Sequence, residues 1–459
     1  MIATIVVARI LGRENYGEYG MIQSTVDSFS VFAGFGLGLT ATKHVAEFRQ
    51  SDPKRAGRII GLSRIMAGVT GIIIAGLLLV FSSHLAEKSI HAPHLANALR
   101  IGSLVLLISA LNGAQTGALA GFEAFKTIAK VNALVGLISF PVLMIGAWFG
   151  GVTGLVWALV VNLCFNWLLN HRAIRLESAR NGVPFSFKGS MKELPLIWRF
   201  ALPATLSGLM VGPANWVCRA MLTSQPDGYS EMGILSAALI FQGLLMFISN
   251  MLGAPLLSMV SKAGTDISNK LGTINILSSW ILGAFLALPL LTFPEAVQYL
   301  FGSEYATRSF RVTFSLVVLS TSIVTFKAGL SRILAANSML WWGFLSNSLW
   351  AVILITASFI FIHLGAIGLA GSMAIAYILN TVIMLPLFYS KKLVPAGTLF
   401  SPEAIFIWMV IFAFVIMNIL DVSLAYRAIF FVPGLGAMII SFIRISKISS
   451  LPSDSIITG

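Results

Sequence analysis

The stretch GGVTGLVWA, residues 150–158, covers the junction of two strongly apolar runs at 129–149 and 152–171. Each run has about 20 residues, which is the length that an α-helix needs to cross a hydrocarbon core of about 30 Å. The glycine-containing stretch is therefore interpreted as the connection between two membrane-spanning helices. A similar stretch, LGAIGLAGS at 364–372, lies between two further apolar runs.

Apolar runs of this kind recur along the whole chain of 459 residues, of which 57% are hydrophobic and only 10% charged. Soluble globular proteins carry about 25% charged residues. The composition therefore indicates a membrane protein, and no polar stretch is long enough to fold as a soluble domain. About thirteen full spans are expected, at 20–42, 59–82, 97–120, 129–149, 152–171, 197–220, 231–258, 272–293, 309–330, 341–362, 365–388, 403–420 and 424–443.

A shorter apolar segment, Met1–Leu11, precedes these spans and is followed by a polar, glycine- and tyrosine-rich stretch up to Gly20, expected to form a turn. At 1.5 Å per residue the segment covers about 16 Å, roughly half of a bilayer. We therefore expect it to be the second half of a truncated first helix, for a total of about 14 transmembrane helices. No basic n-region or small-residue cleavage pattern indicates a signal peptide.

The basic residues indicate how the spans are oriented. The net charge is +13, but Lys and Arg are spread in small groups between apolar runs, as the positive-inside rule requires and unlike a nucleic-acid-binding surface. Alternation along the chain then places both termini in the cytoplasm and the protein in the cytoplasmic (inner) membrane. The most basic connections follow the spans 20–42 and 152–171, which are the second and sixth when Met1–Leu11 is counted as the first. They contain Lys43, Arg49, Lys54, Arg55, Arg58, Arg64, Arg172, Arg175, Arg180, Lys188, Lys192 and Arg199.

Three short matches at one offset indicate an internal duplication. GGVTGLVWA matches LGAIGLAGS with Gly151 on Gly365, and LAGFEAF at 119–125 matches LAANSML. EYGMIQSTVDSFS matches SEMGILSAALIFQ with Gly20 on Gly233, and each pair is about 214 residues apart. Because this period covers an even number of spans, the two bundles enter the membrane in the same orientation, as in transporters built from parallel repeats.

The duplication predicts an all-α architecture of five segments. They are an N-terminal lobe of six spans, a cytoplasmic linker, a C-terminal lobe of six spans, a pair of C-terminal helices and a cytoplasmic tail. Their limits are 1–175, 176–196, 197–390, 400–445 and 446–459.

Four loose motifs occur in order: ARILGRENYGEYG at 8–20, GFGLGLTATKHVAEFR at 34–49, AGFEAFKTIAKVN at 120–132 and FGSEYATRSF at 301–310. In this order the chain resembles the polysaccharide-biosynthesis branch of the multidrug/oligosaccharidyl-lipid/polysaccharide (MOP) superfamily, the lipid-linked oligosaccharide flippases of bacteria and archaea. The resemblance implies a V-shaped pair of MATE-like six-helix lobes around a central lumen lined by basic residues. It also implies transport by alternating access.

Charged residues inside the spans are candidates for function, because a charge at the bilayer centre costs about 2.5–3.5 kcal/mol. Arg9 and Arg219, one in each lobe, are expected to face the lumen and bind the diphosphate or acidic sugars of a lipid-linked substrate, since guanidinium matches phosphate geometry. The alternative is that both arginines reach back to the outer interface and fix helix ends. Asp27 is expected either to hold Arg9 in place across the first two spans or to exchange with the substrate during the transport cycle.

Uncharged polar side chains in the spans extend the set of candidate lumen residues, and such side chains either bridge helices or contact substrate. They are Gln23, Asn112, Gln115, Asn162, Asn166, Asn215 and Gln242. Prolines in the seventh to ninth spans are candidate hinges, namely Pro203, Pro213, Pro255 and Pro289.

No pattern indicates a cofactor, and none is expected. Cys164 and Cys218 lack ligand neighbours, so no metal site is expected there. His84, His91 and His94 share an outer loop, which is interpreted as an ordinary loop in preference to a metal or pH-sensing site. There is no P-loop, HExxH motif or Ser/His/Asp arrangement. Transport would therefore draw on the membrane potential, an H⁺ or Na⁺ gradient, or consumption of the product.

The favoured function is that of a flippase for a polyprenyl-diphosphate-linked oligosaccharide, with membrane lipids as further partners and contacts with polysaccharide-assembly proteins left open. An ion-coupled multidrug or small-molecule exporter of the same superfamily is the first alternative. It is disfavoured because such a pump for organic cations needs buried carboxylates, and Asp27 is the single acidic residue well inside a span. A membrane glycosyltransferase or polymerase is less favoured, because the outer loops are too short to carry a catalytic domain.

Overall fold

The computed structural model describes residues 1–34, 36–184, 187, 189–195, 205, 209–263, 269–337, 339–391, 394 and 399–450. Within these residues the chain forms helices and turns, and no strand occurs. Parts of the predicted linker 176–196, of the predicted span 197–220 and of the tail lie outside them, as do Lys188, Arg199 and Pro203.

Among the described residues, 9 helices are long and apolar enough to cross a membrane. Two of these segments are each long enough for two crossings. They are Phe125–Arg180, with 56 residues, and Trp341–Ser390, with 50 residues. The prediction of an all-α polytopic membrane protein is thereby confirmed, while the count of about 14 crossings stays a prediction.

The described chain divides into two compact units, one within Ile2–Gly233 and one within Ile234–Gly459. The helices of the first unit are α1 (Ile2–Gly34), α2 (Leu37–Phe48), α3 (Pro53–His84), α4 (Ala96–Gly121), α5 (Phe125–Arg180) and α6 (Val211–Thr223). The following helices are α7 (Gly228–Ala263), which begins in the first unit, α8 (Asn269–Thr292), α9 (Pro294–Phe301), α10 (Arg308–Ala336), α11 (Leu340–Phe361), α12 (Gly365–Ser390), α13 (Pro402–Ile419) and α14 (Leu424–Ser450). The first unit includes α6, which the sequence assigns to the second lobe; the lobe limits stay a prediction.

The predicted turn after the first helix is much shorter in the structure. Gly12, with φ 74° and ψ 176°, is the single non-helical residue inside α1, and residues 13–20 are helical. A second break separates α1 from α2 at Gly36, with φ 59°. Glycine permits both breaks because it has no Cβ to clash at positive φ. The predicted span 20–42 is therefore divided between two helices.

The repeated glycine stretches adopt the same backbone conformation in both halves of the chain. Gly151 breaks α5 with φ 54° and ψ −138°, and Gly365, the first residue of α12, has φ 65° and ψ −139°. Three residues later, a Cβ added to Gly154 would lie 2.3 Å from the Gly146 carbonyl oxygen, and one added to Gly368 would lie 1.8 Å from that of Phe361. The shared turn and helix crossing support the internal duplication.

Within the first unit, α2 to α5 enclose a continuous apolar core. The N-terminus of α3 is well defined, because Pro53 occupies its first turn and the Asp52 side chain accepts a hydrogen bond from the Arg55 amide at 2.9 Å. Buried side chains of this core include Ala41, Val45, Ile59, Ile60, Leu119, Phe122 and Ile174.

The bend of α1 packs closely against the start of α7, also within the first unit. A Cβ at Gly17 would lie 1.8 Å from the Tyr229 carbonyl oxygen, and one at Gly233 would lie 1.9 Å from that of Arg13. The Arg13 side chain donates a hydrogen bond to Ser230 and lies 3.8 Å from a Glu231 carboxylate oxygen. This close approach requires glycine, because any side chain would push the backbones apart.

The second unit has an aromatic core and a charged cluster at one end. Trp280 is fully buried and its ring lies 5.2 Å from that of Phe326 and 4.9 Å from that of Trp408. Arg427, only 2% exposed, donates hydrogen bonds to Glu295 and, at 2.8 Å, to Asn418. The charged cluster follows the rule that a buried charge needs a partner.

Candidate functional site

Two polar side chains share an accessible face in the part of α1 from Met21 to Ser28, where the other residues are buried. Gln23 and Asp27 lie one helical turn apart and are both exposed, whereas Ser24, Thr25 and Val26 between them are buried. A carboxylate on such a face can be reached by a substrate, which a carboxylate inside the packed core could not be.

Helix α6 packs alongside this part of α1. The Trp216 indole nitrogen donates a hydrogen bond to the Thr25 hydroxyl at 2.9 Å. A Cβ added to Gly212 would lie 3.3 Å from the Cα of Ser28, so the two backbones approach closely. Asn215 and Arg219 lie one turn apart on α6 and are half-exposed. The fold thus brings four of the candidate residues, two from each helix, to neighbouring helices.

Asp27 and Arg219 attract each other electrostatically. Among the groups that stabilise the charged Arg219 guanidinium, Asp27 has the largest effect. In the described part of the structure they form no direct salt bridge. Two opposite charges that face one another without contact leave both groups able to bind a charged or hydroxylated ligand. We refer to Gln23, Asp27, Asn215 and Arg219 as the α1–α6 polar face.

Arg9 does not reach Asp27, contrary to the expected pairing across the first two spans. Val7, Ala8 and Leu11 form the buried side of this segment, which leaves Arg9 exposed. Within the described residues it makes no hydrogen bond or ion pair. Of the two arginines, Arg219 is the one that interacts electrostatically with Asp27, and the helix that carries it, α6, packs on α1.

The candidates in α4 and α5 mostly hold these two helices together. Asn112 is buried and its amide donates a hydrogen bond to the Leu163 carbonyl at 3.1 Å. The Gln115 amide, fully buried, faces the main-chain oxygen and the indole nitrogen of Trp167 at 3.2 and 3.1 Å. These two side chains bridge helices, which was one of the two roles expected from the sequence.

The other polar candidates have separate positions. Asn166 accepts a hydrogen bond from the Asn170 amide at 2.9 Å. Asn162 is half-buried, and its side-chain oxygen is buried without a hydrogen-bond partner. Gln242 is half-buried on α7, within the second unit.

Two basic residues embedded in α10, Lys327 and Arg332, were not among the site candidates predicted from the sequence. Lys327 lies inside α10 and donates a hydrogen bond to the fully buried Asn380. Arg332, 8% exposed, donates to the Asn275 side chain at 2.8 Å and to Ser279 at 3.1 Å. The available signal was position, because both lie within or directly after the apolar run 309–330.

Two of the three histidines of the 84–95 segment, His91 and His94, contact separate partners. His94 lies 2.6 Å from a Glu18 carboxylate oxygen, and His91 lies 3.2 Å from the Ser224 hydroxyl. Across the described residues, no group of three His, Cys, Asp or Glu side chains is arranged to hold a metal ion.

Comparison with known proteins assigns the chain to a family. The family model described as polysaccharide biosynthesis protein matches residues 1–258, more than half of the chain. The chain belongs to the polysaccharide biosynthesis protein family. A relative of this family member is the EPS I polysaccharide export inner membrane protein EpsE of Ralstonia nicotianae, 21% identical over 383 residues, which cover 81% of this chain and 86% of EpsE.

Solved structures show the fold of this family member. A multidrug resistance MATE transporter of the MOP superfamily in an inward-facing conformation superimposes with a TM-score of 0.69 and 17% identity, covering 85% of this chain and 94% of that one. A MOP superfamily transporter from Pyrococcus furiosus gives a TM-score of 0.59 at 17% identity, covering 85% and 91%. The predicted MATE-like fold is confirmed. Family, fold and the long apolar helices of the described residues together identify a multi-pass membrane protein.

Proposed function

We propose that this transporter moves a lipid-linked anionic oligosaccharide, carried on a polyprenyl diphosphate, across the cytoplasmic membrane by alternating access. The observation that carries the proposal is the α1–α6 polar face, where Asp27 is exposed and Arg219 is half-exposed on two helices that pack together. A guanidinium offers several N–H donors in a fixed geometry that suits phosphate or carboxylate oxygens. The amides of Gln23 and Asn215 add donors and acceptors for sugar hydroxyls.

The substrate class is supported by the relatives. The Ralstonia protein is named for export of a polysaccharide, and the Pyrococcus furiosus transporter is described as having a binding pocket of reverse polarity that suggests a different function. A pocket that takes an anion in place of a cation would have that reversed polarity, and Arg219 supplies the positive charge.

During the transport cycle, Asp27 competes with the substrate for Arg219. When the site is empty, the carboxylate partly neutralises the guanidinium, which lowers the desolvation cost of an unpaired charge. When an oxyanion arrives, Arg219 binds it and Asp27 is released to water or to a proton. In this proposal the polar face lies in a lumen open to one side of the membrane at a time.

The deciding test is complementation of a bacterial strain that lacks a polysaccharide flippase, with lipid-linked sugar measured on the outer leaflet. The wild-type chain should restore surface exposure, and Arg219→Gln should not, at equal membrane abundance. Lys88→Gln, which removes an exposed positive charge, is the matched control and should behave as wild type. No rescue with any tested oligosaccharide, together with drug resistance above the empty vector, contradicts the proposal.

Export of a small molecule coupled to H⁺ or Na⁺ is the second candidate function. The observation that favours it is the accessible Asp27 carboxylate, which suits a proton or sodium ion and occurs in a MATE fold. Asp27→Asn would then abolish drug efflux, whereas Arg219→Gln would leave efflux intact or improve it. The opposite order of severity, with lipid-linked sugar as the cargo, favours the flippase.

A further inference from the structure

Lys327 brings a positive charge into the second unit, at a place where α10, α11 and α12 meet. It lies about 14 Å along α10 from Ala336, at 1.5 Å per residue. Asn380, which accepts its hydrogen bond, lies about 15 Å along α12 from Ser390. Both residues are thus well inside their spans, and an ionisable residue at such a depth is a candidate for function.

The described contacts of this lysine are with neutral groups. The Asn380 side-chain oxygen accepts hydrogen bonds from Lys327 and, at 3.1 Å, from the Ser346 hydroxyl of α11. The Asn380 amide donates to the Ser346 carbonyl at 2.8 Å, which fixes its orientation. An ammonium has three N–H donors, and in the described part of the chain one of them is used and no carboxylate pairs with Lys327. The site therefore keeps a full positive charge and spare donors.

The internal duplication shows what this position needs for packing alone. Lys327 lies seven residues before Leu334, and Asn112 lies seven residues before Leu119, the matching leucine of the first half. Asn112 bridges α4 and α5 by donating to the Leu163 carbonyl at 3.1 Å. An uncharged amide is thus sufficient to bridge helices at this position. The charge of Lys327 adds a desolvation cost that bridging does not require, and we infer that it serves a ligand.

Accessibility separates Lys327 from the other embedded basic residue of α10. Arg332 is 8% exposed, and its guanidinium makes three hydrogen bonds to α8, two of them to Asn275 and one to Ser279. Its charge is therefore held inside the packed core. Lys327 is half-buried, so a ligand can reach its ammonium.

The chemistry of the site suits a single negative charge carried by a sugar. An ammonium is a compact point charge with rotatable donors, whereas the planar fork of a guanidinium matches the several oxygens of a phosphate. Lys327 therefore matches a carboxylate, and Arg219 of the α1–α6 polar face matches a diphosphate. Tyr377, one turn from Asn380, is half-buried and its ring lies 5.3 Å from that of Trp350. Its hydroxyl can donate to a sugar hydroxyl or accept from one.

We propose that Lys327 binds the carboxylate of an acidic sugar in the substrate and thereby makes transport selective for acidic over neutral oligosaccharides. This inference rests on the proposed function, which supplies the lipid-linked cargo. It gives the second unit a role in choosing the sugar, which the diphosphate contact of Arg219 cannot have. The hydrogen bond to Asn380 holds the ammonium before the cargo arrives, and the carboxylate then accepts from the remaining N–H groups.

The test compares two synthetic probes that differ in one group. They are polyprenyl-diphosphate disaccharides that end in glucuronate or in glucose, and their binding to the full chain is measured in phosphatidylcholine nanodiscs. The wild-type chain should bind the glucuronate probe about tenfold more tightly, the ratio expected for one charge-assisted contact. Lys327→Gln should bind both probes equally, whereas Lys327→Arg, which keeps the charge, should retain a preference for glucuronate.

Three further variants serve as controls. Lys391→Gln, which removes an exposed positive charge at the end of α12, should keep the wild-type ratio. Lys327→Asn introduces the residue found at the matching position of the first half, so it should unfold at nearly the wild-type temperature and still lose the preference. Arg219→Gln should weaken binding of both probes alike, because both carry the diphosphate.

The outcomes separate this inference from the proposed function. Equal binding of the two probes by the wild-type chain, or a wild-type ratio in Lys327→Gln, overturns the role of Lys327 alone, since a flippase needs only to bind both probes. A loss of preference in Lys391→Gln as large as in Lys327→Gln overturns it as well. Failure of the wild-type chain to bind either probe contradicts the proposed function, and this inference with it.

Discussion

Asp27 and Arg219 show how one residue pair can combine charge with accessibility in an apolar protein. Their attraction makes two embedded charges tolerable, while the absence of a direct salt bridge in the described structure leaves both able to bind a ligand. Sequence reasoning found both residues because charges are rare in apolar spans. It paired Asp27 with the wrong arginine, since the choice depends on which helix packs against α1.

Exchanging these two charges tests whether they act as a pair or as a substrate site. The double variant Asp27→Arg with Arg219→Asp should restore membrane abundance and thermal stability relative to either single variant, because the attraction is retained. Transport should stay at least about tenfold below wild type, because the guanidinium now projects from α1. Initial rates of lipid-linked sugar exposure provide the measurement. Full recovery of transport by the double variant would mean that the pair is structural only.

Glu295 lies outside the membrane-spanning segments, and its ion pairs make the stability of the folded state depend on pH. Burial alone would raise the pKa of the Glu295 carboxyl, but hydrogen bonds from Arg427 and Arg311 more than offset this and hold the pKa below its usual value. The ionised carboxylate therefore stabilises the folded state above about pH 4.3, the usual value for the unfolded chain. That stabilisation disappears as the pH falls through the lower folded-state pKa.

Replacing Glu295 by Gln should lower the free energy of unfolding at neutral pH by about 1.5–3 kcal/mol, because Arg427 loses a charged partner. It should also flatten the fall of Tm on acidification below pH 4.3. Thermal unfolding in detergent between pH 3 and pH 7 measures both effects. Glu304→Gln, which removes a carboxylate from the adjacent turn, is the control, and an equal loss of pH dependence there would contradict the assignment.

At the scale of elements, single glycines decide where the long helices break. Gly151 interrupts a helix of 56 residues, and Gly365 takes the same conformation at the corresponding point of the second half. The sequence predicted a connection at each position from the lengths of the apolar runs. It expected a longer turn at Gly12, because the polar residues that follow were interpreted as loop although they form the next turns of α1.

Alanine at Gly151 or Gly365 should destabilise the protein by about 1–3 kcal/mol, the usual cost of a side chain in a sparsely populated backbone region. A Cβ at Gly151 would meet no atom within 4 Å, so the loss would come from the backbone and not from a clash. Chemical denaturation in detergent measures the effect. Gly150→Ala, one residue earlier with equally open space, should cost no more than about 0.5 kcal/mol, and an equal cost there would sink the explanation.

At the scale of the whole molecule, the internal duplication connects the sequence pattern with the MATE fold. The sequence predicts six spans per repeat and therefore two bundles of the same orientation, and the superposition on a MATE transporter with a TM-score of 0.69 shows the MATE fold. The distribution of Lys and Arg then predicts which side of the membrane each connection occupies.

Fusion reporters test the predicted orientation. A fluorescent protein joined after residue 459 should fluoresce and alkaline phosphatase at the same position should be inactive, because the C-terminus is expected in the cytoplasm. An epitope inserted after residue 226, in the predicted outer connection, should be labelled in intact spheroplasts. An active phosphatase at the C-terminus would reverse the assignment of every connection.

The sequence by itself predicted the all-α membrane fold, the helix connections at Gly151 and Gly365, the internal duplication and the family. These properties are local or periodic, since a run of apolar residues must form a helix wherever the chain meets lipid. Only the tertiary structure decided that Asp27 faces Arg219, that Lys327 donates to Asn380 and that Arg427 is buried against Glu295. Those contacts join residues far apart in the chain, and their partners depend on how helices pack, which hydropathy and charge alternation do not specify.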